Sequence, residues 1–229
     1  MTTDSKGFDQ YARDYKSLMD RSVQMSGDGA EYFWEYKARY IARIVGSEFS
    51  GKILDFGCGV GLLATRLKQH LPAATVHGYD PSPESLRLVP PELAAAGRFS
   101  DSLSNLDGGY QLAVLSNVMH HIAQAQREQT IVDIAAHLDP GGKLILFEHN
   151  PWNPLTRWVV RHCPFDDGVI LLRPGEVSSY FSRATLAVRR RDFIVFFPRM
   201  LSVFRSFEPW ISWLPAGAQY AVVGEKHAG

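Results

Sequence analysis

Only two cysteines occur in the 229 residues, Cys58 and Cys163, and they lie far apart. Neither the paired spacing of a zinc site nor the framework of a disulfide-stapled scaffold is present, so neither thiol reads as structural. Net charge is also missing, since 24 Lys plus Arg offset 24 Asp plus Glu. No global field therefore draws nucleic acid or an anionic membrane; the triplet Arg189-Arg190-Arg191 reads as a solvated strand face. No uninterrupted apolar run approaches the ~18 residues of a membrane span, and MTTDSKGFDQYARDY lacks the apolar centre of a signal peptide. The expectation is a cytoplasmic protein without a transmembrane segment. Repeats and low-complexity stretches are absent as well. What the chain does have is 45% hydrophobic residues, enough for one substantial core, so residues 1–229 are expected to form one domain.

Residues 1–46 read as an N-terminal helical arm: a polar start broken by Gly27 and Gly29, then Tyr32, Phe33, Tyr36, Tyr40, Ile41 and Ile44 at helical spacing up to Gly46. Residues 47–149 alternate strand and helix. Strands are predicted over Lys52–Phe56, Ala74–Tyr79, Gly97–Ser100, Gln111–Asn117 and Lys143–His149. Helices are predicted over Leu62–His70, from the cap Ser82-Pro83-Glu84-Ser85 onward, and over Gln124–Leu138, stopped by Asp139-Pro140-Gly141-Gly142. This alternation specifies a doubly wound α/β fold, a mostly parallel sheet covered on both faces. Residues 150–185 break the rhythm with prolines and tryptophans and read as an insertion after the fifth strand, a lid. Residues 186–229 hold two late strands, Leu186–Phe197 and Gln219–Gly224. They are joined by a broken amphipathic helix, Met200–Leu214, interrupted at Pro209, and are read as an antiparallel edge.

Gly57, Gly59 and Gly61 stand between the first strand and its helix, where backbone can approach a ligand because no Cβ intervenes. Asp80 ends the next strand about 20 residues on, where a carboxylate accepts hydrogen bonds from both ribose hydroxyls. Together they imply an adenosine-containing ligand. A dinucleotide site needs its third glycine one residue later, and Asp55 just ahead of the glycines would face a pyrophosphate. The cations of S-adenosylmethionine tolerate that acid. The electrostatics therefore favour this cofactor over NAD.

With those residues in place, the sequence resembles the class I S-adenosylmethionine-dependent methyltransferases from about Phe8 to Lys226. ILDFGCGVG looks like the family's first motif, which puts Asp55, Gly57, Cys58, Gly59 and Gly61 around the methionine end of the cofactor. VHGYDPSPESL matches the ribose-binding segment with Asp80 and Pro81. Asp101-Ser102 resembles the adenine-contacting pair. YQLAVLSNVMHHI looks like the fourth-strand motif, carrying Asn117, with Gln111 where an acid is common. LDPGGKLILFEHN resembles the turn into the fifth strand, and AGAQYAVVGEKH the final strand of the antiparallel pair. FDQYARDY is similar to a segment that closes over the cofactor, with Tyr15 as a cofactor contact and Tyr11 on the substrate side. The resemblance implies a Rossmann-like, seven-stranded sheet with an antiparallel last strand. It also implies S-adenosyl-L-methionine as cofactor, S-adenosyl-L-homocysteine as product, and methyl transfer as the activity.

Methyl transfer is an in-line displacement, so the protein mainly aligns the partners and excludes water, and a base is needed only for a protonated nucleophile. Candidates at the carboxyl edge are His120, His121, Glu148 and His149, with His121 chosen as the catalytic base and His120 and His149 as substrate contacts. No metal is predicted, because adjacent histidines diverge and no third ligand shows suggestive spacing. The lid brings Trp152, Arg157, Trp158, Cys163, Phe165, Asp166 and Asp167 within reach. Trp152 and Arg157 are assigned to the substrate, Arg157 and Arg161 being spaced to hold an anion. The aromatic run FFPRMLSVFRSFEPWISWLP is read as packing against the sheet edge or a second subunit. The acceptor is expected to be a small-molecule hydroxyl in secondary, lipid or glycan metabolism, with nucleic acid disfavoured and the chain a monomer or homodimer. Two alternatives stay open: a non-catalytic S-adenosylmethionine-binding module, and a nicotinamide oxidoreductase.

Overall fold

The runs KILDF and YQLAVLS pair in parallel at the centre of a sheet, Ile53 opposite Leu112 and Phe56 opposite Leu115. A computed structural model describes residues 27–163, 166 and 168–228, so the arm containing Tyr11 and Tyr15 lies outside the described residues. The strands are β1 (Lys52–Phe56), β2 (Thr75–Tyr79), β3 (Phe99–Ser100), β4 (Tyr110–Ser116), β5 (Leu138–His149), β6 (Leu186–Ile194) and β7 (Gln219–Lys226). They form one seven-stranded sheet ordered β3-β2-β1-β4-β5-β7-β6. β1 to β5 are parallel, and β7 runs antiparallel to both neighbours. The helices are α1 (Ala30–Val45), α2 (Leu62–His70), α3 (Pro83–Arg87), α4 (Pro91–Ala96), α5 (Gln124–His137), α6 (Pro154–Arg161), α7 (Pro174–Arg183) and α8 (Glu208–Ile211).

Alternate strand residues point to opposite faces, and both faces are apolar. Ile53, Leu112, Val114, Ile145 and Phe147 pack under α1 and α2 through Trp34, Ala38, Ile41, Leu63 and Leu67. Leu54, Ala113, Leu115, Leu144 and Leu146 pack under α5 and α7 through Ile131, Ile134, Val177 and Phe181. The continuous run Leu144 to Phe147 is fully buried because a parallel sheet is covered on both sides, each such side chain contributing roughly 1.5–3 kcal/mol.

The two late strands form the expected antiparallel edge, β7 pairing with β5 and with the outermost β6, whereas three other expectations change. Residues 174–183 belong to the core and not to a lid: α7 buries Val177, Tyr180 and Phe181. The turn Asp139 to Gly142 lies within β5, where the register against β4 shifts after the Tyr110–Leu138 pair and Gly141 takes a φ of 76°. The chain from 199 to 207 winds as a 3-10 helix with non-helical dihedrals at Leu201, and Pro209 begins α8 instead of interrupting a helix.

Candidate active site

The carboxyl ends of the parallel strands open on one edge, and the glycine turn after β1 lies there. Gly57, Gly59 and Gly61 have φ of 78°, 52° and 80°, a region strained for side chains. A Cβ on Gly57 would come within 2.4 Å of Val118, whereas one on Gly59 would meet nothing within 4 Å among the described residues. Gly57 is closed by protein and Gly59 opens onto space. The Gly59 N–H donates to Asp80 Oδ2 at 2.7 Å and the Ser82 N–H to Oδ1 at 2.9 Å, so Asp80 ties the turn to the end of β2. Gly78, which carries no motif, gives room for this: a Cβ there would meet Cys58 Sγ at 2.6 Å and the Phe99 ring at 2.4 Å. Cys58 is therefore packing beneath the turn, a correction to its sequence reading, and burial pushes its thiol well above its ordinary value. Cys163 is buried as well, and among the described residues neither cysteine is in a disulfide. At the end of β3, Asp101 is exposed and the Ser102 N–H donates to Ser100 Oγ at 3.1 Å.

Behind the turn stands a buried cation that no motif announced. Lys37 of α1 is 3% exposed, and its ammonium donates to Ser116 Oγ at 2.8 Å and to Asn117 Oδ1. Its signal was present in the sequence: Lys37 sits four residues after Phe33 and four before Ile41, inside the apolar stripe of the helix. Burial lowers it to about 7, against the pull of Glu148 and Asp55. Asp55 is 1% exposed and is raised to about 7 by burial and by Asp80, with Lys37 opposing. Among the described residues, one of its oxygens, Oδ2, has no hydrogen-bond partner, and neither does Nδ2 of Asn117. Asn117 holds a φ of 57° at the end of β4, so its side chain turns back toward α1.

Beyond β4 and β5 lies a cluster of imidazoles and carboxylates. His120 Nδ1 stands 2.6 Å from Glu148 Oε2, both side chains almost wholly buried. On the other side, His120 Nε2 and His121 Nε2 each lie 3.4 Å from Asp166 Oδ1. The His149 ring is 5.2 Å from that of His120. Burial opposes charge on His120, but Glu148 and Asp166 outweigh it and raise the imidazole to about 9. Burial and the charge on His120 lower His121 to about 3 and His149 to about 4. Burial acts to raise Asp166, yet the bond to His120 and the other imidazoles hold it near 2, and Glu148 is likewise held low. The cluster carries one imidazolium between two carboxylates. At neutral pH one of the three imidazoles is therefore expected to be charged and two neutral, which long-range proton–nitrogen spectra of the histidine rings read directly. Three neutral rings in protein stripped of metal ions would contradict the assignment.

The segment over this edge is pinned. Buried Asn150 donates through Nδ2 to Pro215 O and Gly217 O at 3.1 and 2.7 Å, Asn153 donates to Ala216 O, and Thr156 Oγ1 to Ala218 O. Asn153 Oδ1 also caps α6 by accepting from the Thr156 N–H. Four tryptophans stand on this roof: Trp152 just before α6, Trp158 within it, and Trp210 and Trp213 in the β6–β7 connection, all exposed.

Of the sequence candidates, the structure brings together His120, His121, Glu148 and His149, and it sets Asp166 of the expected lid against two of the histidines. It does not bring Trp152 or Arg157 to them. Trp152 packs on Phe193 at 5.7 Å and lines a groove with Arg191 and Trp213; Arg157 and Arg161 are exposed on α6. Asp166 had no sequence signal linking it to the histidines, because loops after different strands meet only in the fold.

A family described as a methyltransferase domain matches residues 30–193. The ribosomal RNA small subunit methyltransferase C of Haemophilus influenzae is 30% identical over 145 residues, covering 59% of this chain and 43% of that protein. The chain thus spans less than half the length of this relative. Among solved structures, an S-adenosylmethionine-dependent methyltransferase from Archaeoglobus fulgidus superposes with a TM-score of 0.65 at 15% identity, over 86% of this chain and 95% of the other. The magnesium protoporphyrin IX methyltransferase of Synechocystis PCC 6803, with bound S-adenosylmethionine, gives 0.59 at 15% identity, over 90% and 82%. At such identities the structures show a common fold.

Proposed function

Because the chain belongs to this methyltransferase family, we propose that it transfers the methyl group of S-adenosylmethionine to a hydroxyl of a small-molecule acceptor. The glycine turn fits the cofactor on two counts: the space beside Gly59 admits a ligand against the backbone, and the unpartnered Asp55 Oδ2 accepts from its ammonium. Asp80 takes the ribose, with Pro81 beside it, and Asp101 and Ser102 flank the adenine side. Bound S-adenosylmethionine supplies an electrophilic methyl activated by its sulfonium. The remaining tasks are the protein's own: hold the acceptor oxygen in line, exclude water and take up its proton.

The observation that carries the acceptor reading is the edge formed by His121 and Asp166. His121 and His149 are both partly exposed, but of these two His121 is the one set against Asp166, with 17% of its side chain exposed, and it stays neutral at working pH, so its Nε2 can receive a hydroxyl proton while Asp166 stabilises the charge that results. His120, locked to Glu148, fixes the position of both. An acceptor panel with labelled S-adenosylmethionine tests this. Methyl ethers of hydroxyl compounds are expected; transfer to an RNA fragment alone, or cofactor binding with no transfer at all, would replace the reading with a nucleic-acid enzyme or a binding module. The balanced net charge and the partial span of the ribosomal RNA relative favour the small molecule.

Cofactor binding is also expected to expel a proton. Free Asp55 titrates at about 7; an ammonium against it favours the carboxylate, so affinity falls as pH drops below neutrality. Calorimetry in buffers of different ionisation heat measures the release, and Asp55→Asn should remove it. Equal heats for both proteins would sink the assignment.

A further inference from the structure

We propose that Nε2 of His120, Nε2 of His121 and Oδ1 of Asp166 form a site for a divalent first-row transition-metal ion, with one coordination position open. The three ligand atoms lie within 4.8 Å of one another, and the two nitrogen–oxygen separations are both 3.4 Å. That is longer than the usual 2.7–3.2 Å of an N–H···O bond. It matches the edge of a tetrahedron whose centre holds its ligands at about 2.0–2.1 Å, roughly 3.3 Å.

The surroundings have the form such an ion requires. A histidine that binds a metal through one nitrogen donates the other N–H to a carboxylate, which fixes its tautomer and raises its basicity. Glu148 does this for His120 at 2.6 Å, leaving Nε2 to face Asp166. In that tautomer a nitrogen lone pair and a carboxylate oxygen confront each other, and His121 presents a second lone pair to the same oxygen. A single proton on His120 relieves one of these two confrontations; a cation at the centre relieves both. Two imidazoles with one carboxylate select zinc, cobalt or iron(II) over magnesium or calcium, which prefer oxygen alone. His120 and Glu148 are sealed inside, while His121 and Asp166 are 17% and 10% exposed, so the fourth position faces outward. This corrects the expectation of no metal, which rested on the absence of a third ligand in the sequence.

What the ion does rests on the acceptor reading above: its open position would take the acceptor oxygen and lower the hydroxyl pKa, so that the proton leaves to water and His121, then a ligand, acts in ionisation through the metal. Binding itself is independent of that reading. The test uses the full chain, free of any tag, stripped with chelator and titrated with cobalt(II) while the visible spectrum is recorded, then with zinc as competitor and magnesium as control. The expected result is one cobalt per chain with a four-coordinate visible band, displaced by zinc and not by magnesium. Asp166→Asn and His121→Ala should weaken it by 10-fold or more while keeping their affinity for S-adenosylmethionine. Absence of a band in the wild-type protein overturns the proposal, and so does cobalt affinity unchanged in both variants. Either failure leaves methyl transfer to hydroxyl acceptors standing. Conversely, an ion bound with no such transfer would remove the acceptor reading and keep the site.

Discussion

Replacing His121 with alanine is expected to lower turnover by ~10²-fold or more, the scale of a positioned proton acceptor, with the affinity for S-adenosylmethionine unchanged. The separation of the two effects follows from the geometry. The cofactor cradle is built by the turn after β1 and the end of β2, whereas His121 belongs to the 3-10 turn Met119–His121 after β4 and contacts Asp166. Steady-state kinetics should show the loss in kcat with little change in the cofactor's KM. The pH profile adds a readout that a scaffold role would not move. With His121 lowered to about 3, its protonation cannot cut activity near pH 6. With His120 raised to about 9, loss of its proton should bend the profile on the alkaline side. Wild-type turnover in His121→Ala would reduce the residue to scaffold.

The second large effect is on binding. Asp80→Ala is expected to weaken S-adenosylmethionine and S-adenosylhomocysteine by 10²-fold or more in calorimetric titration. Each hydrogen bond to a charged group contributes about 1.5–3 kcal/mol, and on the proposed reading two ribose hydroxyls share this carboxylate. The same oxygens accept from the Gly59 and Ser82 amides, so the mutation also loosens the turn. Thermal unfolding without cofactor separates the two contributions: a small shift in Tm with a large loss of affinity assigns Asp80 to the ligand. An unchanged affinity would show that the ribose lies elsewhere. Asp101→Ala, on an exposed side chain, should weaken binding far less.

Much of the core was legible in the sequence because its signals are local. Lys52–Phe56 coincides with β1, Leu62–His70 with α2, and Asp80 ends β2, since strand, glycine turn and helix follow from residues within one short window. α7 was missed for a physical reason: it is short, it opens on Pro174-Gly175, and its apolar stripe is only Val177, Tyr180 and Phe181, too few to stand out from the irregular stretch before it. The site was half legible. The histidines announce themselves at strand ends, but the partners that set their charge, Glu148 across the sheet and Asp166 from a distant loop, are assigned only by the fold. Lys37 was the avoidable omission, a cation in the middle of an apolar stripe.

The roof tryptophans shape how this protein can be watched in solution. Of the five, Trp34 is 8% exposed, whereas Trp152, Trp158, Trp210 and Trp213 range from 45% to 80%. Native emission is therefore dominated by indoles already in water, and global unfolding shifts its wavelength little. Heat denaturation is better followed by far-ultraviolet circular dichroism. The same property makes intrinsic fluorescence a selective probe of the carboxyl edge: an acceptor or a second subunit settling on the roof moves the emission to the blue while the core stays silent.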